Sequence, residues 1–533
     1  MRDRVFANGR IWTGSGHVEA LSVRNGRVRA TGDAESVRSS VDADAEIFDL
    51  EGRTAIPGLI DSHVHVLRAG VHWNDLVRWD DGVATLREGL DRITAAARRL
   101  GPGVWLRVLG GWHPGQFAEG RGPTRQELDA AAPDNPVYVQ LLYEDALLNS
   151  AAVSLALGDG DPPGGSIERD AAGAPTGRIR GAGAFAMVLS QIPPPTVAAQ
   201  RASTRAVMAE FNAAGLTGAV DPGGFGVTPD SYQALFDVWR AGEATLRTRL
   251  YLVPPTRGNE VAEMKDWIRF IQPMFGDDML RYVGAGEILT FGCHDLEGLT
   301  DFRVDPHAKG DLREIVRALA GAGWNVHMHA VLDDTVAEVL DVWEEVDAEM
   351  GLNGRYSLAH IEPITRRNLE RMSALGVGAG IQNRMMFRAA DSAEVWGGDE
   401  VIVHSPPLRD ILDLGIPLGA GTDGTVVSPF DPWRSIWWLV TGGSVDGAPA
   451  REERHRLTVE EALRAYTAGS AWLALDEDRL GRLEAGMLAD VAVLDRDPFS
   501  IPPDELAQVS ADLTMVEGRI VHAAAPFAGA VER

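Results

Sequence analysis

Eight short apolar segments recur through the middle of the chain, and several run into a stretch with helical periodicity. They lie at 55–65, 215–222, 246–253, 281–289, 324–330, 356–361, 376–382 and 416–423. Parallel strands need long crossovers, and helices are the usual ones. Eight strands alternating with helices fit a closed (β/α)8 barrel. After 324–330, for example, Val336, Val339, Leu340 and Trp343 share one helical face, with Asp333 or Asp334 as the expected cap. At 533 residues, 45% hydrophobic and 24% charged, the chain is globular and long enough for a large domain with additions.

The ends read differently from the middle. Residues 1–54 and 477–533 carry short strand-like runs punctuated by Asn-Gly and Glu-Gly turns. The expected organisation is a composite β-sandwich built from both ends around a barrel of residues 55–476. The first two barrel segments are separated by far more chain than a normal connection needs. Residues 68–205 have strand-like runs of their own and a Pro/Gly-rich turn region at 158–178. They are expected to form an inserted, lid-like subdomain over the barrel mouth.

The net charge of −27 argues against nucleic acid or an anionic membrane as partner, because both need a basic face. No run has the length of a membrane span, and the N-terminus has no signal-like apolar core. The expectation is a soluble cytoplasmic protein acting on a small molecule, with a homodimer plausible only from base rates. Cys293 is the sole cysteine, so no intramolecular disulfide can form, and Lys265 and Lys309 are the only lysines. G-x-S-x-G, H-E-x-x-H and G-K-[ST] motifs are absent.

Chemistry-bearing residues cluster at the ends of the proposed strands. Alternation along 55–65 puts Asp61, His63 and His65 on one face, and a barrel's catalytic mouth lies at strand C-termini. Two imidazoles projecting together suit a divalent cation such as zinc, although one H-x-H could equally be a structural pair. The pattern recurs: His327 and His329 end one segment, His360 another and Asp423 a fourth. Buried polar groups need partners, and a shared metal would supply one. Asp423 could pass a proton between metal-activated water and a leaving group, or merely cap the next helix.

The stretches "PGLIDSHVH" (57–65) and "GRLEAGMLADVAVLD" (481–495) resemble the entry and exit signatures of metal-dependent amidohydrolases. The intervening "DPPGGSIERDAAGAPTGRIR", "GLTGAVDPGG", "HAVLDD" and "RYSLAH" resemble the YtcJ-like branch of the third amidohydrolase family. That branch includes enzymes similar to N-substituted formamide deformylase. The resemblance implies a distorted barrel with one or two divalent ions, zinc by preference, at its mouth. It maps metal ligands onto His63, His65, His329, His360 and Asp423. It implies hydrolysis of an amide, formamide or related C–N bond, with Asp423, His329 and His360 as catalytic residues. Within the same superfamily, deamination, decarboxylation and isomerisation are alternatives. A catalytically inactive binding barrel is a third reading.

The sequence departs from the family at several points. Many relatives carry a carboxylated lysine at the end of the fourth strand, where this chain has Glu287. Glu287 is either a ligand in its place or an ordinary interior carboxylate, and the nearby Cys293, His294 and Asp295 could also bind metal. Arg384 replaces a common histidine after the seventh strand; it could hold a substrate carboxylate or form a structural salt bridge. Glu144 or Asp145 stands where relatives often place another histidine. His327 faces the mouth without matching a family ligand, so it could contact substrate or back the ligands. The aromatic cluster of Trp433, Trp437 and Trp438 is read as helix core against the barrel.

Overall fold

The computed structural model describes residues 2–79, 82–143, 145–296, 298 and 302–531. Eight parallel strands follow one another in space in the order they follow in the chain: β1 Leu59–Asp61, β2 Leu216–Asp221, β3 Arg247–Leu252, β4 Leu280–Glu287, β5 Asn325–Ala330, β6 Tyr356–His360, β7 Gly378–Gln382 and β8 Leu418–Gly421. Each proposed segment contributes one strand. Most strand residues are buried, as expected when a parallel sheet is covered on both faces. The seam between β8 and β1 is completed by the chain just beyond them. There the Ser62 N–H donates to Ala420 O at 3.0 Å, and the Asp423 N–H donates to His63 O at 2.8 Å.

Glycine at the seam has a steric cause. A Cβ on Gly421 would come within 2.6 Å of Asp61 Oδ1 and 2.7 Å of the His63 nitrogen. The backbone of β8 can therefore approach the chain after β1 only without a side chain there.

Two details of the sequence reading are corrected. Residues 55–57 do not belong to β1; they lie in a separate strand, Thr54–Pro57, paired with Val491–Leu494 and Arg10–Trp12. The Gly58 N–H donates to Asp490 O at 2.8 Å before the chain enters the barrel. The helix after β5, Asp333–Met350, starts on Asp333 with Leu332 as its cap residue. Asp333 is occupied elsewhere: its carboxylate accepts the Thr365 N–H at 2.8 Å and the Asn368 amide at 2.7 Å. Val336, Val339, Leu340 and Trp343 are buried on its inner face.

A six-stranded sheet joins the two ends of the chain, running from Arg519–Ala523 through Ala511–Val516 and Val491–Leu494 to Thr54–Pro57, Arg10–Trp12 and His17–Val18. A second, four-stranded sheet comes from the N-terminal end alone. Phe6, Leu21, Val491 and Leu513 share one apolar cluster between them. This unit meets the barrel at its N-terminal floor through a buried ion pair, in which Arg247 of β3 donates to both oxygens of Asp490 at 2.8 and 3.0 Å. Beside it Arg249 donates to Asp476, at the end of the barrel segment, at 2.6 Å.

Between β1 and β2 the chain forms a five-stranded sheet, from Leu106–Leu109 to Ser166–Arg169 at its edges. It touches the barrel mouth directly, since the Gly111 N–H donates to Val426 O at 2.7 Å. The helix α1, Val66–His72, leaves β1, and α2, Val197–Ala213, runs unbroken through residue 205. Thr204 of α2 hydrogen-bonds Gly70 O of α1 at 3.3 Å, so this helix packs with the barrel. Among the described residues no helix is long and apolar enough to cross a membrane.

Candidate metal centre

The chain leaves β1 at Asp61, earlier than strand alternation predicts, and Asp61 does not join the polar cluster at the mouth. Its carboxylate accepts the His63 N–H at 2.9 Å, the Thr422 N–H at 3.2 Å and the Thr422 hydroxyl at 2.7 Å. It staples β1 to β8 and fixes the turn that carries His63 and His65. Burial pushes its carboxyl up to about 7 even though the Thr422 and His63 donors pull the other way.

Around that turn the predicted residues converge on Glu287 at the end of β4. One carboxylate oxygen lies 3.4 Å from His63 Nε2, 3.5 Å from His329 Nδ1 and 3.9 Å from His360 Nε2. The other lies 3.7 Å from His65 Nε2. Asp423 Oδ1 is 2.9 Å from His65 Nε2 and 3.6 Å from His63 Nε2. All six residues are buried. His360 and Asp423 take left-handed backbone, with φ of 74° and 56°. Strain of that kind is held where the surrounding structure over-determines it, and such positions cluster at functional sites. Asp423 is no helix cap: the following helix, Pro432–Thr441, is capped by Asp431.

The hydrogen bonds orient the imidazoles. With the Ser357 hydroxyl donating to Val326 O at 3.2 Å, it accepts from His327 Nδ1–H at 2.8 Å. His327 Nε2 is then the acceptor for His63 Nδ1–H at 2.9 Å, and the His63 Nε2 lone pair faces Glu287. Likewise His65 Nδ1–H donates to Gly223 O at 2.9 Å, leaving Nε2 free for the mouth. His329 gives its Nε2–H to Asp295 at 2.9 Å, which turns Nδ1 toward Glu287. Backing of this kind fixes tautomer and ring orientation in metal-ligating histidines.

The donor set fits a divalent cation. Among the described residues, His63 Nε2 and both nitrogens of His360 are buried without a hydrogen-bond partner. Three groups of side chains have ligand atoms within 4.8 Å of one another: His63, His360 and Asp423; His63, His65 and Glu287; and Glu287, His294 and His329. Burial opposes charge on Asp423, but His65 at 2.9 Å and the nearby His63 outweigh it and hold the carboxyl at about 2. The two lysines are elsewhere, Lys265 paired with Glu314 and Lys309 with Glu338 and Asp341.

His294 takes a place that motif spacing left open. Its ring stacks on His329 with centroids 3.8 Å apart. Its Nδ1 accepts the Leu296 N–H at 3.1 Å, and burial beside His329 holds the ring down to about 3, so it is neutral. The proton of that neutral ring sits on Nε2 and makes His294 a donor. The only sequence signal was a histidine just after the fourth strand.

The remaining predicted residues lie outside this cluster. Arg384 is completely buried and pairs with Glu362 at 3.0 Å, the salt-bridge alternative rather than a residue open to substrate. Asp145 pairs with Arg178 inside the inserted sheet. Glu144 lies outside the described residues. Trp433 and Trp438 are buried helix core.

The Amidohydrolase family model matches residues 46–522. Over 547 aligned residues the chain is 28% identical to N-substituted formamide deformylase of Arthrobacter pascens, covering 97% of this chain and 98% of that one. It is 26% identical to the Bacillus subtilis protein YtcJ, with 95% and 96% covered. An uncharacterized metal-dependent hydrolase from Pyrococcus furiosus superposes with a TM-score of 0.67 at 25% identity, over 93% of this chain and all of that one. With the family match spanning the barrel and every residue of the polar cluster at its mouth, the chain belongs to the amidohydrolase family.

Proposed function

We propose that this chain is a metal-dependent hydrolase of a small-molecule C–N bond, an N-substituted formamide or related amide, with zinc as the ion. The observation that carries this reading is the buried donor set around Glu287, in which His63 Nε2 and both His360 nitrogens have no hydrogen-bond partner among the described residues. Imidazole and carboxylate donors suit zinc, and such groups are costly to bury unpaired. His63, His65, Glu287, His329, His360 and Asp423 would between them hold one or two ions. When bound the metal supplies Lewis-acid polarisation and lowers the pKa of water.

The chain's own residues do the rest. Asp423, ionised and in contact with His65, accepts a proton from the attacking water and returns it to the departing nitrogen. His294 offers its Nε2–H to the carbonyl oxygen as negative charge develops there. The new C–O bond replaces the C–N bond, so a formamide and one water give formate and an amine. The inserted sheet acts as a lid, in keeping with its contact to Val426.

Incubating the zinc-loaded protein with N-benzylformamide tests this reading. Equimolar formate and benzylamine are expected. No release from this compound or from a panel of related amides, with metal bound, would contradict it.

A further inference from the structure

Beside the metal centre lies a cavity of about 470 Å³. Arg68, Val71 and His72 of α1, the helix that begins at the residue after His65, line it. Thr425 lines it two residues after Asp423, and Phe225 lines it while packing its ring against His294 at 4.7 Å. The far wall comes from the inserted segment, with Leu109, Leu189 and Ile192. The chain as a whole carries a net charge of −27, yet among the described residues this cavity is lined by two arginines, Arg68 and Arg107, and by no carboxylate.

Among the described residues no carboxylate forms an ion pair with Arg68, and Arg107 has only a long one. Arg68 Nη1 donates to the Tyr143 hydroxyl at 3.1 Å. Its Nε is buried, and no described residue accepts from it. Asp423 and Glu287 act on Arg68 electrostatically, but neither forms an ion pair with it, and both belong to the metal donor set. Arg107 is buried against His72 at 3.3 Å, with Asp75 its nearest carboxylate at 3.9 Å. Arg68 lines the cavity, and a guanidinium suits the planar, two-oxygen geometry of a carboxylate. The apolar wall opposite suits a hydrocarbon substituent.

We propose that Arg68, supported by the field of Arg107, anchors a carboxylate of the substrate, so that the preferred substrates are amides or formamides bearing both a carboxylate and an apolar group. The assignment rests on the hydrolase reading for its scissile bond but not for its anion site. Arg68 is the binding group; Arg107 raises the positive potential behind it. Arg384, the arginine picked out by sequence, cannot serve because Glu362 holds it inside the fold.

Two measurements on the metal-loaded protein test this. In the first, calorimetry compares binding of 3-phenylpropionate with that of its neutral amide, 3-phenylpropanamide. In the second, kcat/KM is compared for N-formylphenylalanine and N-formylphenylalaninamide. Each is run on wild type, Arg68→Met and Arg68→Lys, with metal content and circular dichroism confirming folded, loaded protein. Wild type is expected to favour the carboxylate roughly 10- to 100-fold in both. Arg68→Met should bring the ratio near one, and Arg68→Lys should leave an intermediate ratio. No preference in wild type, or a preference that survives in Arg68→Met because the carboxylate binds the ion, overturns the proposal. If Arg68→Met does not fold, the wild-type ratio and Arg68→Lys decide. Turnover of the neutral formamide with no carboxylate advantage sinks the anchor and leaves the hydrolase reading standing. An Arg68-dependent carboxylate preference in binding, with no turnover of any formamide, does the reverse.

Discussion

The two ends of the barrel bury polar groups in opposite ways. At the floor each charge has a partner: Arg247 holds both oxygens of Asp490, and Arg249 holds Asp476. At the mouth, His63 Nε2 and the two nitrogens of His360 are equally buried but have no hydrogen-bond partner among the described residues. Unpaired buried donors and acceptors cost free energy that a fold selected only for stability would remove. The contrast separates polar residues that tie the barrel floor together from polar residues that await an outside partner.

That contrast can be broken by substitution, and the largest effect is expected at the mouth. Asp423→Asn keeps the shape of the side chain and removes the base. It should lower kcat/KM by roughly 10²- to 10⁴-fold on whatever amide the enzyme accepts. Its urea midpoint should stay unchanged or rise, since functional sites are held at some cost to stability. A fall in stability with activity retained would erase the distinction between the two ends.

At the floor the reverse is expected. Arg247→Met leaves Asp490 buried without its guanidinium and should destabilise the protein by about 3–5 kcal/mol in urea titration. Metal bound per folded chain should not change. Between these lies His327, whose Nε2 orients His63 without facing Glu287. His327→Phe should weaken metal binding by roughly 10- to 100-fold in a chelator competition. Unchanged affinity would mean that His63 needs no such backing. The smallest effect is expected outside both ends, at Lys309 on the helix Pro306–Gly321, paired with Glu338 and Asp341. Lys309→Gln should change stability by no more than about 0.5 kcal/mol and leave the metal stoichiometry alone.

Much of the barrel was legible because most of its strands are short apolar runs, and several run into histidine or aspartate. The placement of β1 was less so. Strand alternation put Asp61, His63 and His65 on one face, but the chain turns at Asp61, whose carboxylate binds Thr422 on the opposite edge of the sheet. No local pattern reports a hydrogen bond between residues so far apart in sequence. Arg384 and Arg68 make the same point in opposite directions. Spacing after the seventh strand left Arg384 either a substrate contact or a structural salt bridge, and only tertiary packing, which gives it Glu362, decides. Arg68 sits three residues after His65 with nothing in its sequence neighbourhood to mark it, and its surroundings become visible only when the inserted segment folds over α1. The tautomer chain from Ser357 through His327 to His63 was equally invisible, because it links two strands whose pairing the sequence does not state.

Glu287 lies in two of the three donor groups and within 4 Å of four histidines. The most direct measurement of the account is therefore divalent metal per chain, by mass spectrometry, for wild type and Glu287→Ala after reconstitution with zinc and desalting. The account predicts tightly held zinc in wild type and loss to background in Glu287→Ala, with circular dichroism unchanged. Wild type that holds no metal, or Glu287→Ala that holds as much as wild type, would contradict it.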